Sequence, residues 1–395
     1  MLKKRCFLFC LIVLVIGNIW FLNLKNDNSN LIGTYIDGEY ASNIPSKDAG
    51  YVVEKIVCDN EAVGEWNYDD WGLLVKNMPK KSKCNVYFRK GIKLADTITL
   101  VDATGKCPTV NDDGSVNVTS AESENSLLCM APDNYGNSYY FRGNVQNNYV
   151  YFANLYWRII RINGDGSVRM IYDGTTAHEN GEASSDRTIG NSQFNETDND
   201  NAYAGYMYGT PSSSTYEETH ANIHDSTIKK YIDSWYESNI KDTVYEKHTI
   251  ISNFYTDRAI LETNKYNGIS NNMTRYKWYY APWTTPQVLP TLIHSNKNDL
   301  LTSSLIALLD FDEAILAGVY NADNKSNYLY NGFSYWLLSP SDYNGTNAGV
   351  RRIDNIGRAN RDRVINGHYV KPVINLKPNS LKLGDGTIPN AYRIS

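Results

Sequence analysis

Apolar and polar positions alternate along this chain with three different periods, and the changes of period divide it into segments. The first apolar stretch is the longest: about nineteen mostly apolar residues, Cys6 to Leu24, behind the basic Lys3, Lys4 and Arg5. A helix of that length crosses a bilayer at ~1.5 Å per residue. The basic flank places the N-terminus inside and everything after Lys25 outside. No small-x-small cleavage site follows, so a transmembrane anchor over residues 1–25 is expected, with secretion after signal cleavage as the alternative. "KNDNSN" then reads as a polar spacer.

Beyond the spacer the period falls to two. Residues 31–93 read as a small β-sandwich-like domain: "YVVEKIVC" and "KCNVYF" are strands, "GEWNYDDWGLLV" is a turn and strand, and Trp66 and Trp71 are core candidates. Residues 94–131 read as a connector with a turn at Asp113-Gly114. In the larger domain, 132–395, three strands are expected at Tyr149–Phe152, Tyr156–Ile162 and Ser167–Tyr172, the last two joined by the tight turn "NGDG". Residues 173–224 form a long polar excursion.

Helical spacing appears twice. "DSTIKKYIDSWYESNI" places Ile228, Tyr231, Ile232, Trp235 and Ile240 on one stripe, with Asp225 or Ser226 as cap. "LDFDEAILAGV" predicts a second helix, with Asp310 near its start and Gly318 at its end. The strands "YWLLSP" and "YVKPVINL" then enclose a middle, Tyr343 to Val370, rich in Asn, Arg, Asp and Gly. The fold class expected is α+β, with two helices and long loops in the larger domain.

Four of the six cysteines, Cys58, Cys84, Cys107 and Cys129, follow the anchor, in the compartment where disulfides persist. Three pairings are open to them. The sequence-local one, Cys58–Cys84 and Cys107–Cys129, is expected because each bond then staples one small β unit.

The net charge of −5 and the absence of a basic arm argue against a nucleic-acid partner. Asn is abundant throughout, which either an AT-rich genome or a sugar-binding surface explains. His220 and His224 lie four apart but have no third ligand in view, so loop histidines are the plainer reading. Asp198 and Asp200 are a candidate calcium pair against the alternative of a solvated turn; no other metal or cofactor is expected. No G-x-S-x-G elbow occurs, and helix capping accounts for Asp310 and Asp312. A non-catalytic binding protein is expected rather than an enzyme.

The polar middle supplies the candidate ligand site: Tyr343, Asn344, Asn347, Arg351, Arg352, Asp354, Asn355, Arg358, Asn360, Arg361, Arg363 and His368. Here five arginines and Lys371 face only Asp354 and Asp362 in sequence. Planar donors in excess suit acidic sugars or acidic protein surfaces outside the cell. Ordinary ion pairs across two hairpins are the alternative, and a surface scaffold the alternative function.

"YFRGNVQNNYVYFANLYWRIIRINGDGSVRMIYDG", "DEAILAG", "YWLLSP" and "VKPVINL", in that order, resemble a family of uncharacterised exported surface proteins of the Firmicutes and Mollicutes type. The resemblance covers about 135–395. It implies a C-type-lectin-like domain, the fold of formylglycine-generating enzymes and of variable ligand-binding proteins of diversity-generating retroelements. "IDGEYASNIPSKDAGYVVEKIVC" is similar to the small disulfide-bearing repeat that precedes such domains. The closing family motif carries Arg where this chain has Lys371, and no thiol remains after Cys129 for formylglycine chemistry. Fold likeness alone does not give function.

Overall fold

A computed structural model describes residues 32–46, 49–67, 71–77, 82–90, 106–118, 126–252, 254–256, 259–261, 267–277, 288–294, 300–301, 303–378 and 382–394. The expected anchor lies outside them. Among the described residues no helix is long and apolar enough to cross a membrane. The chain is mostly β, with few helices, and divides into two compact units, one reaching to Ile92 and one beginning at Lys93.

The first unit holds β1 (Ile32–Ile36), β2 (Glu39–Ala41), β3 (Tyr51–Cys58), β4 (Val63–Asn67), β5 (Gly72–Lys76) and β6 (Cys84–Lys90). Four of these form a sheet in the order β2-β1-β6-β3, and β4 and β5 form a hairpin. Alternation fixes the inner face: Cys84, Val86 and Phe88 are buried, whereas Asn85 and Tyr87 on the same strand are not. Trp66 packs edge-on to Phe88 at 5.1 Å and to Trp71 at 5.4 Å. Trp66 is buried and Trp71 half-buried, its indole N–H donating to the Pro45 carbonyl at 2.6 Å. The Cys58–Cys84 disulfide joins residues directly opposite each other on β3 and β6.

The second unit begins with β7 (Thr109–Val110), β8 (Val116–Asn117), β9 (Ser126–Asp133), β10 (Gly136–Gly143), β11 (Tyr149–Phe152), β12 (Leu155–Ile162) and β13 (Val168–Gly174). The stretch read as a connector therefore runs into the main sheet, since β9 pairs with β10 along its whole length. The second expected disulfide, Cys107–Cys129, secures it. "NGDG" closes the β12–β13 hairpin: the Asn163 amide donates to the Ser167 carbonyl at 2.8 Å and Gly166 takes φ +81°.

Further along lie β14 (Asn191–Gln193), β15 (Met207–Tyr208), β16 (His224–Asp225), α1 (Thr227–Asn239), β17 (Thr274–Arg275), β18 (Ile306–Ala307) and α2 (Phe311–Leu316). Ser226, not Asp225, caps α1 by accepting from the Lys229 amide. Ile228, Ile232 and Ile240 are fully buried, as the stripe requires, and Tyr231 and Trp235 half-buried. At α2, Asp310 and Glu313 form a reciprocal capping box, and Gly318 follows the end at φ +97°.

Then come β19 (Tyr335–Tyr343), β20 (Ala348–Ile353), β21 (Ala359–Arg363), β22 (Gly367–Tyr369) and β23 (Val373–Leu376), before short strands at Lys382–Leu383 and Tyr392–Ile394, the second of which lies parallel to β11. The main sheet runs β18-β23-β13-β12-β11, with β10 and β9 continuing from β12. A second sheet runs β14-β22-β19-β20-β21. The polar middle is thus largely strand rather than the long loops expected of this domain, in keeping with the alternative of paired hairpins. Residues 343–370 contain three of the strands themselves, turned by Gly345 at φ +90° and Gly357 at φ +85°. Arg, Asn and Asp have low strand preference, but preference yields where cross-strand partners pair their charges and backbone.

Candidate ligand-binding surface

Strand β21 is the outer member of the second sheet, and all five of its residues are half-buried. Its register against β20 sets Arg361 opposite Arg351 and Arg363 opposite Gly349. Two like charges so placed repel unless each finds an anion. Arg361 does so on β19: Nε and Nη2 grip the Asp342 carboxylate at 2.7–3.0 Å. Arg363 closes on Asp198 with the same two nitrogens, both on the single oxygen Oδ2, Nε at 2.8 Å and Nη2 at 2.7 Å. Asn347 donates to the same Asp198 oxygen at 2.9 Å.

Gly349 makes the first of these pairs sterically feasible. A Cβ there would lie 2.6 Å from Arg361 Nη2 and 2.9 Å from Asp342 Oδ1. No side chain fits beneath that guanidinium.

The neighbouring pairs follow the same pattern. Arg358 Nε lies 3.0 Å from Asp354 Oδ2 and 4.0 Å from Asp323. Burial pushes the Asp354 carboxyl up, but hydrogen bonds from the Arg358 amide and guanidinium, the Ile356 amide and Asn360 outweigh it and hold it below the usual carboxylate range. Asp362 is likewise held low: donors led by His368, with the Arg363 amide and Asn366, overcome its burial. His368 Nε2 sits 2.9 Å from Asp362 and the ring lies edge-on to Trp336 at 4.6 Å. Burial pulls His368 below its ordinary value, and Arg352 reinforces this against the opposing Asp362. Arg352 donates to Ser334 Oγ at 2.7 Å and lies 3.7 Å from Asp362.

Several expected site residues are not on this surface. Arg351 is 4% exposed, with its guanidinium 4.9 Å over the Phe311 ring, so it belongs to the core. Tyr343 is buried and donates to the Asn199 carbonyl at 3.0 Å. Asp354 is buried beneath its own turn. Asn344 and Asn355 are exposed; Asn344 accepts from the Thr346 and Asn347 amides and so shapes the β19–β20 turn. Lys371 is sealed in the interior beside Asp173. What remains accessible divides between the two faces of the β20–β21 pair: Arg361 and Arg363, with Asn347 beside Asp198, on one, and Arg352 and Asn360, with His368 beside Asp362, on the other, while Arg358 follows the turn between the strands.

The local excess of positive charge read from the sequence is also corrected. Asp342, Asp198 and Asp323 arrive from other segments and neutralise it, so the argument for an acidic ligand no longer stands. Asp342 carried a usable signal, lying in the strand "YWLLSPSDY" that must pair with the arginine strands. Asp198 carried none, since 165 residues separate it from Arg363.

The proposed calcium pair is otherwise engaged. Asp198 holds Arg363 and Asn347, while Asp200 caps a helical turn by accepting from the Ala202 amide at 2.9 Å and from Ser212 at 2.8 Å. Among the described residues no group of three or more His, Cys, Asp or Glu side chains is placed to hold a metal ion. His220 contacts the Gly268 carbonyl at 2.9 Å, and His224 lies in β16.

Two further ionic clusters of this unit are sealed from solvent. Asp173 sits among Arg187, Lys371 and Arg158 at 2.8, 3.4 and 3.8 Å. Glu313 receives Arg161 at 2.8 Å and Arg169 at 2.6 Å, and Arg161 also reaches Asp133 at 2.9 Å. The second of these ties α2 to β12 and β13 of the main sheet.

Comparison with protein-family models, with curated proteins and with solved structures finds no match to this chain.

Proposed function

We propose that this is an exported, membrane-anchored binding protein whose second unit is C-type-lectin-like and takes its ligand along β21. Two disulfides support the extracellular part of this reading. The observation that carries the binding site is the fixed pose of Arg361 and Arg363. Each guanidinium spends Nε and Nη2 on a carboxylate, and among the described residues each Nη1 makes no hydrogen bond. Two residues along one strand put these donors ~7 Å apart on one face. Donors held in place before the ligand arrives lose little entropy on binding. With each arginine paired, the surface favours a hydroxyl- or amide-bearing glycan or protein partner over a strongly acidic one.

The test is a glycan and mucin array, with a protein panel beside it, probed with the full chain in the presence and absence of calcium. The Arg361→Gln/Arg363→Gln variant is expected to lose a saturable interaction by at least ~10-fold while its circular dichroism is unchanged. A second reading has its own support: every arginine on β21 is paired within the protein, as a surface scaffold requires. In that case no ligand saturates, and the double variant differs from the parent in stability alone.

A further inference from the structure

The four-stranded sheet of the first unit has an outer face that the binding reading does not use. Its registers set Tyr40 of β2, Tyr35 of β1, Tyr87 of β6 and Lys55 of β3 in a single row across all four strands. The adjacent row, Ile36, Phe88 and Val53, turns the other way, toward Trp66 and the hairpin. Tyr35 meets Tyr40 edge-on at 5.8 Å and stacks on Tyr87 at 4.7 Å, and Lys55 Nζ lies 4.7 Å over the Tyr87 ring.

The Tyr87 ring is thus contacted by both Tyr35 and Lys55, and Tyr35 and Tyr87 are half-buried while Tyr40 is exposed. Among the described residues none of the three hydroxyls has a hydrogen-bond partner. Tyr40 is 60% exposed, and Val57, in the next outward row beside Asn85, is 49% exposed. Arg89 lies on the same face, two residues beyond Tyr87, half-buried and opposite the fully buried Val52, so the open part of the face is the end at Tyr40, Lys55 and Val57. The face is therefore amphipathic at the scale of single side chains: apolar ring bodies, polar tips and two cations.

We propose that this row rests on the lipid headgroups of the membrane that anchors the chain. The proposal relies on Cys6–Leu24 being that anchor. Between the apolar run and β1 stand only residues 25–31, seven residues, which span at most about 25 Å when fully extended. The first unit is thus tethered within one sheet's length of the bilayer. Tyr, Lys and Arg suit a headgroup layer, since their stems or rings sit in its apolar part and their tips stay hydrated. Anionic headgroups complement Lys55 and Arg89. A soluble polyanion would use the cations but not Tyr40 or Val57.

The full chain reconstituted in nanodiscs containing phosphatidylglycerol, treated with a water-soluble lysine-acetylating reagent, tests this. Lys76, 67% exposed on β5, is the internal standard. The Lys55:Lys76 labelling ratio is expected to fall about fivefold in nanodiscs relative to the same chain in lipid-free amphipol. Tyr40→Asp, at an exposed position, is expected to restore it. An unchanged ratio in a chain that co-purifies with the discs overturns the docking while leaving the anchor intact. A chain that does not co-purify removes the anchor, and the docking with it. A ratio that falls only when a soluble polyanion is added assigns the row to a different partner.

Discussion

Lys371, two residues before β23, faces Asp173 of β13, Nζ to Oδ1 at 3.4 Å, and neither side chain has any exposure to solvent. The same carboxylate holds Arg187 at 2.8 Å and lies 3.8 Å from Arg158, so three cations share one anion in the interior. Burial pulls the Lys371 amine down to about 7, against the upward pull of Asp173. Buried positive charge in excess of its partner is costly, and losing a proton is the group's means of relief.

That relief predicts a pH dependence with a definite sign. The unfolded chain keeps the Lys371 proton up to about 10.4, whereas the folded chain releases it near 7. Between those values the unfolded state binds more protons, so stability rises with pH, and below about 7 this group contributes no slope. Above about 10 the buried Tyr328 and Tyr335, both pushed up by desolvation, reverse the slope. Urea unfolding at pH 6, 7.5 and 9 should show the rise in the parent protein and lose it in Lys371→Met. The same rise in the variant would trace it to other groups.

Glu313 is the anion of the other sealed cluster and also half of the α2 capping box. Glu313→Gln leaves Arg161 with Asp133 alone and removes the charge that faces Arg169. Removing one partner from a buried ion pair costs about 3–5 kcal/mol, far more than the pair contributes when intact. Thermal unfolding should place this variant well below Arg358→Gln, whose own pair is 40% exposed on the arginine side. Equal melting temperatures would mean that the interior rearranges around the lost charge.

These clusters also mark where the sequence was readable. The helix α1 could be placed because Ile228, Ile232 and Ile240 recur at helical spacing and Ser226 supplies a local cap; both signals lie within fifteen residues. The β12–β13 hairpin followed from a single tight turn. The strands β20 and β21 gave no such signal. Their Arg, Asn and Asp residues are stable in extended form only because Asp342 and Asp198 reach them from elsewhere, and no local pattern encodes that. For the same reason Arg351 and Arg361 looked equivalent. They lie directly opposite on paired strands, yet one points toward Phe311 and the other grips Asp342 at the surface.

This difference can be measured. Arg351→Ala removes a buried stem and a guanidinium stacked on Phe311, and is expected to cost ~2–4 kcal/mol. Arg361→Ala removes a pair whose arginine is 34% exposed, so solvent screening limits the loss to under ~1 kcal/mol. Denaturant midpoints of the two single variants give the order directly. A larger loss at Arg361 would mean that its fork on Asp342 carries the sheet edge, which would favour the scaffold reading.

Gly349→Ala separates the pose of Arg361 from its charge. The new methyl would meet Nη2 at 2.6 Å and Asp342 Oδ1 at 2.9 Å, closer than side-chain contacts allow. Two escapes exist: the guanidinium swings off Asp342, or β20 shifts away from β19. The first leaves the fold nearly unchanged and the arginine fully charged but no longer aimed; the second loosens the sheet and costs ~1–3 kcal/mol. Rotation is the cheaper response, because the arginine is a long side chain at an edge strand while β20 is paired on both sides. The expected outcome is a denaturant midpoint close to the parent's together with loss of any ligand that Arg361→Gln also loses. Retained binding in a well-folded Gly349→Ala chain would show that the charge of Arg361 suffices and that its fixed direction does not matter.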